Sequence, residues 1–242
     1  LGAYMAASLS KAGAQVYING RNKSEVFGLV DKLTHEGLNV KAAVFDITDK
    51  RKIDNFFDTL ESGTIDILIN NAYFGGSGSI QTASSKEYMA SFDISVVSSH
   101  NIFTKALPFL RKAKTINGDA SVINIASMYG MVSPDLSIYK SKKVSNPPFY
   151  GTAKAALIQW TKYAACEFAE EGIRFNSISP GAFPSGKAQE NIELIENIKK
   201  KIPMNRIGVP EDLIGALIFL ASRSSSYVTG SNIVVDGGWT AQ

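Results

Sequence analysis

The sequence predicts an α/β fold: a doubly wound parallel sheet in three layers, α/β/α. Short stretches that are apolar throughout alternate with helical patterns along the chain, as in strands covered on both faces. The 242 residues, 45% hydrophobic and 19% charged, suffice for one large core, so residues 1–242 are expected to form a single domain. Polar or turn-forming residues follow five of the strands, at the edge where ligands bind in such sheets.

In chain order, a helical pattern (Ala3, Ala6, Ala7, Leu9, Ser10) closes at Gly13. A strand at Gln15 to Ile18, a helix at Ser24 to His35 and a strand at Val40 to Phe45 follow. Next come a helix from Asp49 to Leu60, a strand at Ile65 to Ile69, and a loop from Asn70 to Ser79. A long helix spans about Ser84 to Arg111, with a strand at Ser121 to Ile125 behind it. The helix after Pro147-Pro148 buries residues 153, 156, 157, 160, 164 and 168 on one face and stops before Gly172. A strand at Ile173 to Ile178, helices at Lys187 to Lys201 and Glu211 to Ala221, and a strand at Asn232 to Val235 complete the series.

Composition narrows the function. The net charge of +3 is spread along the chain without a basic stripe interleaved with aromatics, which argues against nucleic acid as a partner. The longest apolar run, Leu213 to Ala221, is far short of a membrane span. The lone Cys166 fits a reducing compartment, and a cytoplasmic location is expected. His35 and His100 stand apart from other ligand-type residues, so no metal site is expected.

Tyr150 and Lys154 are four apart on the helix after the proline pair, a spacing that stacks two side chains on one face. A phenol ionises near ~10, and a neighbouring ammonium favours the phenolate, so the pair is expected to make a usable general acid or base. The spacing recurs at Tyr139 and Lys143, but that segment lacks helical periodicity and runs into the prolines. It reads as a solvated loop. The strand ends bring in Asn19-Gly20-Arg21-Asn22, Asp46-Ile47-Thr48, Asn70-Asn71-Ala72, Ala126-Ser127-Met128-Tyr129-Gly130 and Ser179-Pro180-Gly181. Each alone could be an ordinary turn.

Taken in order, Asn70-Asn71-Ala72, Ser127, Tyr150-Gly151-Thr152-Ala153-Lys154, Pro180-Gly181, and the ending Tyr227 to Ser231 with Val235-Asp236-Gly237-Gly238 resemble the short-chain dehydrogenase/reductase family over essentially the whole chain. The resemblance implies a Rossmann-type fold and hydride transfer between a nicotinamide cofactor and a small-molecule carbonyl or alcohol substrate. Family members open with a strand and a Thr-Gly-x-x-x-Gly-x-Gly turn, and Leu1-Gly2 match the last two positions of that turn. The sequence is therefore expected to lack the first strand and most of the glycine turn.

By the same resemblance, Tyr150 exchanges the proton, Lys154 lowers its pKa and holds the nicotinamide ribose, and Ser127 hydrogen-bonds the substrate oxygen. Leu1, Gly2, Arg21, Asp46, Ile47, Asn71, Ala72, Pro180, Gly181, Ala182, Phe183 and Ser185 are the implied cofactor contacts, with Tyr150 and Lys154. Where the family carries an acid for the NAD ribose this chain has Gly20 followed by Arg21, so NADP(H) is expected over NAD(H), with NAD(H) still possible. A solvated Arg21 in a turn is the other reading.

Departures from the family pattern are also legible. Ser95 stands where the family's long helix usually carries a catalytic Asn, and Tyr73 follows Asn-Asn-Ala in place of Gly. An insert at residues 131–146 is expected to arch over the pocket mouth opposite a substrate lid at 187–201. Lys140, Lys142 and Lys143 could attract an anionic substrate, or be simply a solvated basic surface. The expected substrate is a ketone or secondary alcohol, such as a sugar, sugar acid or 3-oxoacyl compound, turned over by a homo-oligomer, dimer or tetramer. The alternative is a cofactor-binding protein of the same fold with little turnover, a sensor or oligomer partner.

Overall fold

The computed structural model describes residues 1–60, 63–184 and 186–242, with only the backbone of Lys187. Six parallel strands carry it: β1 (Val16–Gly20), β2 (Val40–Val44), β3 (Ile67–Asn70), β4 (Ala120–Ile125), β5 (Ile173–Pro180) and β6 (Asn232–Val235). They pair as two sheets, β1-β2 and β3-β4-β5-β6. The helices are α1 (Gly2–Lys11), α2 (Lys23–His35), α3 (Lys50–Asp58), α4 (Ser85–Phe92), α5 (Ser98–Asn117), α6 (Pro148–Phe168), α7 (Lys187–Glu190), α8 (Ile192–Lys201) and α9 (Ile214–Ala221).

Every residue of β4 and β5 is buried, which only a sheet covered on both faces can achieve. Successive side chains point to opposite faces. Val122 thus joins Phe57, Phe103, Leu110 and Phe175 under α3, α5 and α6, while Ile123 joins Met5, Leu9, Leu217 and Leu220 under α1 and α9. At the amino end of β5, Arg174 reaches Asp119 through two hydrogen bonds of 3.1 and 2.8 Å.

Three segments differ from the sequence expectation. The helix expected from Ser84 to Arg111 is α4, a π-helical turn at Asp93–Val97, and α5, which runs on to Asn117 before Gly118 ends it at φ 77°. The left-handed cap suits glycine, which has no Cβ to clash. The helix expected over 187–201 breaks at Asn191, whose side chain accepts a hydrogen bond from Leu194 N and so starts α8. The stretch 138–146, expected as a solvated loop, is exposed at residues 140–144 but held at both ends: Ser145 is buried, 3-10 turns form at Leu136–Ile138 and Lys142–Val144, and Ile138 is buried against Ile198, Ile202 and Trp239. An isoleucine at the tip of a polar stretch gives that stretch an apolar anchor.

The insert also meets α8 and its end directly. Lys140 pairs with Glu193 at 3.1 Å, and Lys201 with Asp135 at 2.7 Å. The two elements expected to face each other across the pocket mouth are in contact.

Candidate active site

Ser127 leaves the carboxyl end of β4 in extended conformation (φ −169°, ψ 153°), and its Oγ accepts a hydrogen bond from Tyr129 N at 3.1 Å. This starts a 3-10 turn, Met128–Gly130, that lies on α6. A Cβ at Gly130 would fall 2.9 Å from the carbonyl carbon of Lys154 and 3.0 Å from Ala155 N. One at Gly151 would fall 2.7 Å from Tyr129 O. Two glycines therefore let the turn and the helix meet backbone to backbone, which brings Ser127 close enough to Tyr150 to act on its pKa.

Lys154 is 2% exposed, and its Nζ donates to Ile125 O at 2.6 Å while lying 5.8 Å from the centre of the Tyr150 ring. Burial penalises the ammonium and brings its pKa from 10.5 down to about 8. The expectation that Lys154 acidifies Tyr150 is corrected here. Burial raises the Tyr150 pKa, the Ser127 hydrogen bond offsets part of this, and Tyr73 adds to the rise. The phenol rests neutral, as a proton donor.

Ser95 is buried in the π-helical turn that packs against α6, and its carbonyl accepts a hydrogen bond from Ser99 Oγ at 2.8 Å. A π turn inside a helix often marks a functional position. Tyr73 is 60% exposed and meets Tyr150 edge to face, ring centres 6.0 Å apart at 79°.

The remaining cofactor candidates are distributed along the carboxyl edges of the strands. Leu1 caps α1, and Gly2 lies so near Asn71 that a Cβ would sit 2.9 Å from the Asn71 amide nitrogen. Arg21 follows β1, is 72% exposed, and makes a loose 3.9 Å pair with Asp46. Asp46 Oδ1 accepts from Thr48 N (2.9 Å) and Thr48 Oγ1 (2.8 Å), bonds that depress its pKa against the opposing effect of burial, and Ile47 packs into the core. Ala72 is exposed after β3. Pro180 ends β5, Gly181 N donates to Val235 O at 2.9 Å, Ala182 O accepts from Gly208 N at 2.9 Å, and the Phe183 ring lies against Gly208. Ser185 lies outside the described residues. This donor set, a guanidinium at one end and a buried ammonium with two hydroxyls at the other, fits the chemistry of a nicotinamide dinucleotide.

Sequence reasoning named Asn70 at its strand end without a role and missed Asn124 and Thr161. Asn70 Nδ2 donates to Asn124 Oδ1 (2.8 Å), and Asn124 Nδ2 donates to Thr161 Oγ1 (2.8 Å), tying the loop after β3 through β4 to α6. An asparagine inside an otherwise apolar strand was the available signal. Gly130, three residues after Ser127, and Tyr129, whose hydroxyl lies 3.5 Å from that of Tyr139, were also passed over as site-builders.

Among the described residues no helix is long and apolar enough to cross a membrane. The family described as enoyl-(acyl carrier protein) reductase matches residues 1–240. A tropinone reductase homolog of Arabidopsis thaliana is 30% identical over 246 residues, covering 99% of this chain and 88% of that protein. A gluconate 5-dehydrogenase of Gluconobacter oxydans (strain 621H) is 30% identical over 250 residues, covering 99% of this chain and 90% of the relative. Among solved structures, a gluconate 5-dehydrogenase from Burkholderia cenocepacia J2315 in complex with NADP and tartrate superposes with a TM-score of 0.85 at 27% identity, covering 99% of this chain and 90% of that one.

Proposed function

This chain belongs to the short-chain dehydrogenase/reductase family of NAD(P)-dependent oxidoreductases acting on CH–OH or C=O groups, and on that premise we propose that it interconverts a ketone and a secondary alcohol with NADP(H), using Tyr150, Ser127 and Lys154. The observation that carries the reading is the convergence of Ser127, at the carboxyl end of β4, with Tyr150 and the buried Lys154 ammonium one helical turn along, on a turn and a helix packed backbone to backbone.

Ser127 donates a hydrogen bond to the substrate oxygen and holds it beside the phenol. Tyr150, neutral because it is buried, hands its proton to that oxygen as the carbonyl is reduced, and accepts one when the alcohol is oxidised. Lys154 spends one N–H on Ile125 O and keeps two for the ribose hydroxyls. When bound, the nicotinamide supplies or takes up the hydride. Ser95 is the family's relay position in this chain, buried beside α6.

The NADP(H) preference rests on Arg21. Its pair with Asp46 is long and exposed, so the guanidinium can turn to a 2′-phosphate at little cost, and Gly20 supplies no opposing acid. The cofactor named for the Burkholderia relative supports the same choice. For the substrate, a small polar ketone such as a keto-sugar is favoured over a strongly anionic one. Lys140, Lys199 and Lys201, the cations of the insert and α8 with carboxylate partners, are paired with Glu193, Glu196 and Asp135. We also propose a homo-oligomer in the cytoplasm.

The test is NADPH consumption over a panel of ketones, keto-sugars and keto acids, with Tyr150→Phe alongside. Turnover abolished by the substitution supports the reading. Turnover that survives it assigns the proton to another group.

A further inference from the structure

Ser127 and Tyr150 have two further phenols beside them. Tyr129 lies two residues beyond Ser127 and is held largely out of water, while Tyr139 comes from the insert. Their hydroxyl oxygens are 3.5 Å apart, well beyond the ~2.7–2.8 Å usual for two hydroxyls bonded to each other. The contact is a long, weak hydrogen bond that either hydroxyl can give up for a better one. An oxygen set off the line joining them, ~2.8 Å from each, can accept from both.

We propose that Tyr129 and Tyr139 form a subsite for a hydroxyl group carried on a carbon near the reacting one, so that the substrate is a hydroxyketone or the corresponding diol. The proposal rests on the catalytic reading of Ser127 and Tyr150 and adds the substrate class.

The surroundings choose between a hydroxyl and a carboxylate. Burial, Tyr139, Asp135 and Tyr150 all push the Tyr129 pKa up, so this phenol keeps its proton and remains a donor. The backbone sets Tyr129 beside the catalytic pair, since its N–H donates to Ser127 Oγ and its carbonyl lies against Gly151, the residue after Tyr150. Asp135 is held ionised, its pKa brought to about 2 by Lys201 and Ser137. Lys201 is already paired with Asp135 at 2.7 Å and so offers a substrate carboxylate no unpaired charge, whereas a neutral hydroxyl needs none. Behind the phenols, Met128, Ile138, Ile198, Ile202 and Trp239 form an apolar wall, and low polarity strengthens the hydrogen bonds made against it. Tyr139 belongs to the insert, so the insert would carry the specificity.

The experiment compares kcat/KM for 2-butanone, 3-hydroxy-2-butanone and 2-oxobutanoate in the parent enzyme and in Tyr139→Phe and Tyr129→Phe, which keep the rings. The parent is expected to favour the hydroxyketone over the plain ketone by roughly 10-fold, the scale of one or two hydrogen bonds, and each variant to bring that ratio to within about twofold. No preference in the parent, a preference for the keto acid, or a ratio unchanged in both variants overturns the subsite. Tyr150→Phe runs in parallel. If that variant keeps its turnover, the catalytic reading falls, whatever the ratio does. If no ketone is turned over, calorimetric titration of the enzyme with NADP+ present decides: 2,3-butanediol must bind several-fold tighter than 2-butanol and lose that advantage in Tyr139→Phe, and equal binding overturns the proposal.

Discussion

Gly130 lies against the backbone of Lys154 with no room for a methyl group: its Cβ would be 2.9 Å from the lysine's carbonyl carbon and 3.0 Å from the Ile158 side chain. This contact fixes the height of Ser127 over Tyr150. Gly130→Ala should lift the turn from α6 and lower kcat/KM roughly 100-fold, the effect of misplacing a reacting group by about an ångström. Steady-state kinetics with circular dichroism would check it; an intact fold with activity within twofold of the parent would refute it.

Lys154 costs the fold stability that the active site needs. Its pKa is about 8 when folded against the ordinary 10.5, so below pH 8 the buried ammonium carries the full penalty, about 3 kcal/mol. Lys154→Met removes this penalty at the loss of one hydrogen bond to Ile125 O, for a net gain of about 2 kcal/mol at pH 7 and loss of turnover. Between pH 8 and 10.5 the unfolded parent binds more protons than the native one, so parent stability rises with pH and the gap should narrow. Urea titrations at pH 7 and pH 10 measure both gaps, and a gap that widens with pH contradicts the account.

Arg21→Asp replaces the cation after β1 with an acid next to Asp46. Preference for NADPH over NADH should fall by roughly 10- to 100-fold and reverse, since a charge-assisted hydrogen bond is exchanged for repulsion. The ratio of kcat/KM for the two cofactors is the readout. Equal ratios before and after the change would remove Arg21 from cofactor selection.

The insert and α8 are joined by packing more than by charge. Ile138→Ala, which empties the contact with Ile198, Ile202 and Trp239, should cost about 2–4 kcal/mol and speed limited proteolysis within residues 131–146. Lys140→Ala breaks a pair whose side chains are 71% and 62% exposed, and should shift stability by under ~0.5 kcal/mol. If the lysine variant is cleaved faster than the isoleucine variant, the ranking is wrong.

Much of the fold was legible because strands buried on both faces are apolar runs with few alternatives. The stretch 173–178 reads as a strand and is the first six residues of β5, although Arg174, Asn176 and Ser177 interrupt its apolar residues. Positions 150 and 154 were legible because helical spacing is a local property. The π turn at Asp93–Val97 was not, since five residues are too few to reveal a change of period. The direction of the Tyr150 shift was hidden for a different reason. It depends first on burial, which the sequence does not display. Ile138 misled because one apolar residue among lysines and serines carries no period, and only the facing α8 gives it a partner.

The chain of amides and hydroxyl from Asn70 through Asn124 to Thr161 has a consequence for how such a protein can vary by descent. Its links span 54 and 37 residues of sequence, yet each buried group has the next as its hydrogen-bond partner. Replacing one member strands its neighbour, so isolated changes at these positions are purged, while paired replacements that restore the contact survive. The three positions share one mutational fate, and a randomised library gains most by treating them as a single locus.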